Sequence, residues 1–318
     1  MTLEPAPGDA PSQFWAELGE AHRRDLEVYG LDQVKRHQAL RYFTWGWRWG
    51  QLARSEQFRF LVRHTPPATL LRAARARTDL SDEGWRGVPW SRPDRWLYAF
   101  ATRLIWEFAR RCEGTAPVLR LPEPELGSPL PVRWEGRLIS QDLANTALEV
   151  AAIVRALGGR VPASIVEVGV GYGRTAHALL ALFPEVAYTV VDIEPALGIA
   201  EWYLTSLYPG RSLQFLSPAQ AEALDARFDL AISISSLQEM TLEQVRSYLE
   251  LFHRTTPGGR VYLKQWKSWR NPQDGITLTF DEYPIPSGWR LLFTQPAAIQ
   301  TRFVEAAWRV PVPTEGRP

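Results

Sequence analysis

The sequence predicts an α/β protein in which a mostly parallel β-sheet, with helices on both faces, follows a helical N-terminal region. Two observations predict this fold. In the C-terminal half, short apolar runs alternate with amphipathic segments of helical spacing, as in strands joined by crossover helices. One of these runs leads into the glycine turn of VEVGVGYGR (166–174), which is typical of a strand that feeds a helix past a bound ligand.

The N-terminal region is predicted to be helical. Residues 1–12 are polar and proline-rich, and we expect them to be disordered. From 13 to 113, apolar residues recur at spacings of three and four, which predicts a helical cap. A proline-rich linker at 114–139 separates this cap from the main domain, 140–318, whose first helix has Ser140 as its predicted N-cap.

The main domain alternates strands and helices. The predicted strands are SIVEV, AYTVVDI, SLQFL, FDLAISI and GRVYLK, and the predicted helices between them are TAHALLALF, PALGIAEWYLTSLY, AQAEALDA and TLEQVRSYLELFHRT. This alternation predicts a parallel sheet that is covered on both faces. After Lys264 the alternation ends, and RLLFTQ and FVEAAWRV predict a closing pair of strands.

Composition and charge exclude several classes of protein. The formal net charge of +1 gives no electrostatic footprint for a nucleic-acid partner. Cys112 is the only cysteine, so neither an internal disulfide nor a cysteine-rich zinc site can form. The chain lacks the apolar core of a signal peptide and any apolar run near the ~20 residues that span a bilayer. We therefore expect a cytoplasmic protein that does not bind a membrane.

The glycine turn and the strand after it predict a cofactor that contains adenosine. Glycines at 169, 171 and 173 let the backbone pass close to a ligand, since a side chain at any of them would crowd it. Asp192 ends the next strand, about 20 residues on, where a doubly wound sheet holds a ribose diol.

Spacing and charge narrow the choice of cofactor. The turn reads GVGYG, one residue shorter than the dinucleotide fingerprint, and no GxxxxGK(S/T) phosphate loop is present. Glu167 would repel phosphates but suits an ammonium or a sulfonium, and S-adenosylmethionine carries both. A nicotinamide oxidoreductase is therefore disfavoured.

These residues carry a resemblance to a known family. VEVGVGYGR resembles motif I of the class I S-adenosylmethionine-dependent methyltransferases. More narrowly, the chain resembles the bacterial sugar O-methyltransferase family at VEVGVGYGR, VVDIEPAL, ISSLQEM (234–240), GGRVYLKQWK (258–267) and the cap segment YGLDQVKRHQALRYFTW (29–45). Val170 departs from the family, which usually has glycine there. The resemblance implies a Rossmann-like class I methyltransferase sheet with a closing antiparallel strand and an N-terminal helical cap.

The resemblance also implies which residues bind the cofactor. They cluster in the glycine turn and at the ends of the neighbouring strands, and they are Glu167, Gly169, Gly171, Tyr172, Gly173, Arg174, Asp192, Ile193 and Ser235.

Three residues are candidates for catalysis. A sugar hydroxyl needs a group that accepts its proton, and that base belongs at the strand ends. Glu239 follows the fourth strand there, although an acid at this position can equally cap the next helix. Gln238 would orient the acceptor. His177 is an alternative base, but its position on a packed helix favours a structural histidine.

The predicted substrate-binding residues each have a second interpretation. Lys264, Gln265 and Trp266 end the fifth strand and would contact sugar hydroxyls and a sugar face, or form a solvated strand end. Asp142 would lie over the cofactor or belong to a helix cap. Tyr42 would close over the acceptor or pack in the core.

The sequence predicts methyl transfer from S-adenosylmethionine to a hydroxyl of a sugar or a glycosylated natural product. Alternative acceptors are a carboxylate, an amine or a phenol of a peptide or small molecule. A catalytically idle scaffold that resembles methyltransferases is a further alternative. No zinc pattern is present. The sequence leaves open whether a magnesium ion binds, because such sites need few protein ligands. It also leaves open whether the protein forms a homo-oligomer.

Overall fold

The computed structural model describes residues 13–36, 55–270 and 275–312. The chain divides into two compact units. Of the described residues, the sheet unit comprises 13–20, 153–270, 275–297 and 302–312, and the helical unit comprises 21–36, 55–152 and 298–301. The predicted disordered segment 1–12 lies outside the described residues, and the predicted domain boundaries stay predictions.

The N-terminal part of the chain is helical, as its apolar spacing predicts. Its elements are the helices α1 (Gln13–Tyr29), α2 (Glu56–His64), α3 (Pro67–Arg75), α4 (Arg92–Ala109) and α5 (Ala116–Leu119), then the antiparallel strands β1 (Arg133–Trp134) and β2 (Arg137–Leu138) and the helix α6 (Gln141–Leu157). Ser55, Ser91 and Ser140 each accept a hydrogen bond from a backbone N–H in the first turn of α2, α4 and α6. Within the described ranges, no helix is long and apolar enough to cross a membrane.

The rest of the chain builds a seven-stranded sheet. In chain order its elements are β3 (Ser164–Val168), α7 (Arg174–Leu182), β4 (Ala187–Val191), α8 (Ala196–Leu207), β5 (Leu213–Leu216), α9 (Pro218–Glu222), β6 (Leu230–Ile234), α10 (Leu242–Thr255), β7 (Arg260–Trp266), β8 (Ser268–Arg270), β9 (Thr277–Thr279), β10 (Arg290–Pro296) and β11 (Phe303–Arg309). The strand order is β10-β11-β7-β6-β3-β4-β5. Neighbours from β7 to β5 are parallel, while β11 runs antiparallel to both β7 and β10. This confirms the predicted fold, including its closing pair of strands.

The register of the central strands brings the sequence motifs to one edge of the sheet. Glu167 in β3 is paired with Val190 in β4 and with Ile232 in β6. The parallel strands therefore end together, at what we call the carboxyl edge. Open α/β sheets bind their ligands at this edge.

One segment leaves the sheet between β7 and β10. Strands β8 and β9 pair as a hairpin, with Trp269 opposite Leu278. We call residues 268–289 the hairpin insertion, whose residues 271–274 are outside the described ranges. The insertion starts beyond Trp266, at the carboxyl edge. It ends at Arg290, which lies in register with Arg309 and, through it, with Arg260 at the opposite edge.

Candidate active site

The turn after β3 leaves no room for a side chain at its first glycine. Gly169 has φ +77°, and a Cβ built on it would lie 2.1 Å from Ser236 Oγ. Its N–H donates to Val191 O at 2.9 Å. Glycine is therefore required at this position both by backbone conformation and by contact with the turn after β6.

The second glycine is bonded to the acid at the end of β4. Gly171 N donates to Asp192 Oδ2 at 3.1 Å, and Ile193 N donates to Oδ1 at 2.8 Å. Burial raises the pKa of Asp192 to about 6, although these backbone hydrogen bonds favour its ionised form. Asp192 is thus held against the glycine turn by these two hydrogen bonds.

The rest of the turn is closely packed. Gly173 has φ +99° and precedes α7 as its N-cap, and a Cβ on it would lie 3.0 Å from Leu204 Cγ. The buried Tyr172 ring packs edge-on against Tyr203, with 5.2 Å between ring centroids. Arg174, the first residue of α7, is half-buried.

Glu167 is buried behind the glycine turn. Its side chain is 1% exposed and accepts a hydrogen bond from Tyr188 OH at 2.6 Å. Burial and the negative charge of Glu167 raise the pKa of Tyr188 well above its ordinary value, so Tyr188 stays a hydrogen-bond donor. This tyrosine orients Glu167, and sequence reasoning missed it.

The turn after β6 has an unusual backbone conformation. Ser235 has φ +57°, which a residue with a side chain rarely adopts. Its N–H donates to Lys264 O at 2.7 Å, and its Oγ accepts from Gln238 Nε2 at 3.1 Å. The side-chain Oε1 of Gln238 in turn accepts a hydrogen bond from Trp266 N at 3.4 Å. Gln238 thus links the turn to the end of β7.

Gln265 fixes the same turn from the neighbouring strand. It is 0% exposed, its Oε1 accepts from Ser236 N at 3.0 Å, and its Nε2 donates to Ser233 O at 3.0 Å. Both ends of the amide are bonded within the protein. The structure therefore gives this predicted substrate-binding residue a positioning role.

Glu239 lies at the end of this turn and is buried. It belongs to the 3-10 turn Leu237–Glu239 and is 4% exposed. The side chain that caps α10 is that of Thr241, which accepts from Gln244 N at 3.2 Å. Burial and the charge of Glu239 raise the pKa of Tyr283, which the sequence did not single out.

The other predicted residues lie in several places. His177 is on α7, with Nδ1 2.8 Å from Tyr208 OH. Trp266 is half-buried and packs on Trp269 and Phe303, at 5.1 Å between centroids in each case. Lys264 is buried with Nζ 5.6 Å from the Phe303 ring.

Two further predictions concern residues in the N-terminal half of the sequence, and one concerns metal binding. Asp142 is buried in the first turn of α6. Tyr42 lies outside the described residues. Within the ranges that the structure covers, no group of three or more His, Cys, Asp and Glu side chains could hold a metal ion.

Comparison with known proteins identifies the domain. Residues 166–261 match a family model described as a methyltransferase domain, and no curated protein matches the chain. Similar solved structures include the 4+2 cyclase SpnF, with 16% identity over 54% of this chain and 84% of that chain and a TM-score of 0.43. Magnesium protoporphyrin IX methyltransferase from Synechocystis PCC 6803, with bound SAM, has 15% identity, 54% and 82% coverage and a TM-score of 0.41. The glycopeptide N-methyltransferase MtfA has 17% identity, 52% and 90% coverage and a TM-score of 0.42.

The family match covers the glycine turn, Asp192 and Glu239, and it ends within β7. A glycine cradle beside a carboxylate suits the ribose of an adenosyl cofactor, and Glu167 suits its positive charge. The chain therefore contains a methyltransferase domain, which the match places at residues 166–261.

Proposed function

We propose that this enzyme transfers a methyl group from S-adenosylmethionine to a hydroxyl of a sugar or of a glycosylated natural product. The observation that carries the proposal is the buried Glu239 carboxylate, which follows β6 at the carboxyl edge. Strand β6 is the direct neighbour of β3, which leads into the glycine turn. A hydroxyl needs a base to accept its proton, and we assign that role to Glu239.

The cofactor residues supply binding and position. S-adenosylmethionine brings an activated methyl group when it is bound, and the chain holds its two ends. Asp192 accepts hydrogen bonds from the ribose, the turn at Gly169 and Gly171 lets the backbone come close, and Glu167 favours the cationic end. Tyr172, Arg174, Ile193 and Ser235 complete this proposed set. Such positioning is worth ~7–11 kcal/mol in favourable cases.

On the acceptor side, Glu239 is preferred to His177 as the base. Glu239 lies in a turn at the carboxyl edge, whereas His177 lies on a packed helix with its Nδ1 already bonded to Tyr208. Gln238 and Gln265 hold the turn through their amide hydrogen bonds. Trp266 offers an aromatic face to the acceptor. Lys264, Asp142 and Tyr42 stay candidates for acceptor contacts.

The first test is a calorimetric titration with S-adenosylmethionine, S-adenosylhomocysteine and NADH, followed by a methylation assay on a panel of glycosides with and without EDTA. We expect binding of the two adenosyl compounds only. The absence of adenosyl binding would favour an idle scaffold. Loss of activity in EDTA would assign a metal to the reaction.

The decisive variant is Glu239→Gln, with Glu243→Gln as its control, since Glu243 is exposed in the first turn of α10. Removing a general base lowers kcat by about 100-fold or more. We expect that loss for Glu239→Gln, with unchanged affinity for S-adenosylhomocysteine, and no loss for Glu243→Gln. An acceptor carboxylate needs no base, so a nearly intact rate would favour the alternative acceptors.

A further inference from the structure

Two buried hydrogen-bond donors of the hairpin insertion have no partner. The indole Nε1 of Trp269 and the hydroxyl of Tyr283 are both inaccessible to solvent and make no hydrogen bond in the described protein. Tyr283 as a whole is 5% exposed. Buried polar groups are paired in the great majority of cases, so two exceptions in one segment call for an explanation.

Comparable side chains in the same unit are paired. Tyr262 OH donates to Glu305 Oε2 at 2.7 Å, and Trp289 Nε1 donates to His253 Nδ1 at 2.9 Å. Both of these residues are also buried. Thr256 Oγ1 in the same unit also lacks a partner within the described residues, so the lack of partners is not confined to the hairpin insertion. Trp269 and Tyr283 differ from Thr256 in that both belong to the segment near Glu239.

Both donors belong to the surroundings of the Glu239 turn. Strand β8, which contains Trp269, packs on the turn Leu237–Glu239. Tyr283 belongs to the same apolar cluster as Leu237, and the charge of Glu239 acts on its hydroxyl. The Trp269 ring lies 5.1 Å from that of Trp266, which adds an aromatic surface.

We infer that Trp269 and Tyr283 are acceptor-binding residues, which donate hydrogen bonds to oxygen atoms adjacent to the hydroxyl that Glu239 deprotonates. The inference rests on the proposed function and deepens it. Two donors and one carboxylate around an aromatic surface suit a ring with several neighbouring oxygens, whose C–H face packs on Trp266. They do not suit an ammonium group, which also donates. Tyr283 stays protonated because its pKa is raised, so it serves as a donor.

The first experiment measures thermal unfolding without ligand, and needs no activity. Tyr283→Phe and Trp269→Phe are compared with the matched controls Tyr262→Phe and Trp289→Phe, whose hydrogen bonds are present. We expect Tyr283→Phe to leave Tm unchanged or higher, because it removes an unpaired hydroxyl. We expect Tyr262→Phe to lower Tm by about 2–4 °C. An equal loss in Tyr283→Phe would overturn the inference, since its hydroxyl would then be paired internally.

The second experiment titrates a panel of methyl hexopyranosides into the protein saturated with S-adenosylhomocysteine. We expect Tyr283→Phe and Trp269→Phe each to weaken glycoside binding by about 10-fold and to raise KM more than they lower kcat. Their affinity for S-adenosylhomocysteine should stay unchanged. Unchanged glycoside affinity in both variants, or no binding of any glycoside by the natural protein, would overturn the inference. Failure of the proposed function differs, because S-adenosylhomocysteine itself would then not bind, or Glu239→Gln would leave the rate of methyl transfer nearly intact.

Discussion

The two sides of the carboxyl edge differ in how they satisfy their polar groups. On the cofactor side, Asp192 accepts two backbone hydrogen bonds and Glu167 accepts one from Tyr188. On the acceptor side, the buried atoms Trp269 Nε1 and Tyr283 OH have no hydrogen-bond partner among the described residues. In the proposed assignment, the cofactor-binding residues are hydrogen-bonded within the protein, whereas the acceptor side has two donors that would bind a ligand. A cofactor can bind at a site whose own polar groups are already hydrogen-bonded to each other. A specific acceptor needs donors or acceptors in the protein that have no other hydrogen-bond partner.

The largest effect on stability and cofactor affinity is expected for a substitution of Gly169 on the cofactor side. Gly169→Ala places a Cβ against Ser236 at a positive φ, so backbone strain and overpacking combine. We expect a loss of about 4 kcal/mol in stability and at least about 100-fold in affinity for S-adenosylhomocysteine.

Gly210→Ala is the matched control for this substitution. Gly210 has φ +78°, but a Cβ built on it would meet nothing within 4 Å. It should therefore cost only about 1 kcal/mol and leave cofactor binding intact. Equal effects in the two variants would mean that the contact with Ser236 does not matter. Chemical denaturation and calorimetry measure both quantities.

The next effect separates stability from binding at Asp192. Its pKa of about 6 in the folded state exceeds the value of about 3.9 for an unfolded chain. The folded protein therefore holds the proton more tightly, and this group's contribution to stability falls as pH rises from about 4 to about 6. At pH 8 the free energy of unfolding of Asp192→Asn should be about 1–2 kcal/mol higher than that of the natural protein. The raised pKa alone would give a difference of about 3 kcal/mol, but the amide loses one accepted hydrogen bond. The two proteins should be equally stable near pH 4.

Binding should change in the opposite direction. Asp192→Asn should bind S-adenosylmethionine about 30-fold more weakly at pH 8, because a charge-assisted hydrogen bond to the ribose is lost. The affinity of the natural protein should rise with pH through about 6 as Asp192 ionises. The control is Asp225→Asn, an exposed acid whose replacement should alter neither quantity. A variant that is both weaker in binding and less stable at pH 8 would contradict this account.

The smallest effect is expected for Tyr188, whose hydroxyl is hydrogen-bonded, in comparison with Tyr283, whose hydroxyl has no partner among the described residues. Tyr188→Phe removes the donor to the buried Glu167, so it should cost about 1.5 kcal/mol of stability, unlike Tyr283→Phe. Urea unfolding of the two variants, side by side, measures this difference. If the two proteins lost the same stability, the two sides of the edge would not differ.

The sequence predicts the contact between the glycine turn and Asp192 more directly than any contact of Glu239. The glycine turn and Asp192 are close in sequence, and their spacing alone predicts that they meet at the ends of adjacent strands. The contacts of Gln265 could not be predicted from the sequence, because its hydrogen bonds to Ser233 and Ser236 depend on the register of β6 with β7. Side chains alternate between the two faces of a strand, so the sequence could have indicated that Gln265 and Lys264 face opposite sides of the sheet. Tyr283 lies in an insertion without periodicity, so no sequence pattern ties it to Glu239.

The path of the hairpin insertion bears on the entropy of acceptor binding. The insertion leaves β7 at Trp266 and rejoins the sheet at Arg290, at the opposite edge. Near this second end, Trp289 stacks on His253 of α10 and hydrogen-bonds to it. A segment anchored at both edges loses little conformational freedom when a ligand engages its middle. The donors of the acceptor side thus lie in a segment whose two ends are anchored, which limits the conformational entropy that is lost when an acceptor binds.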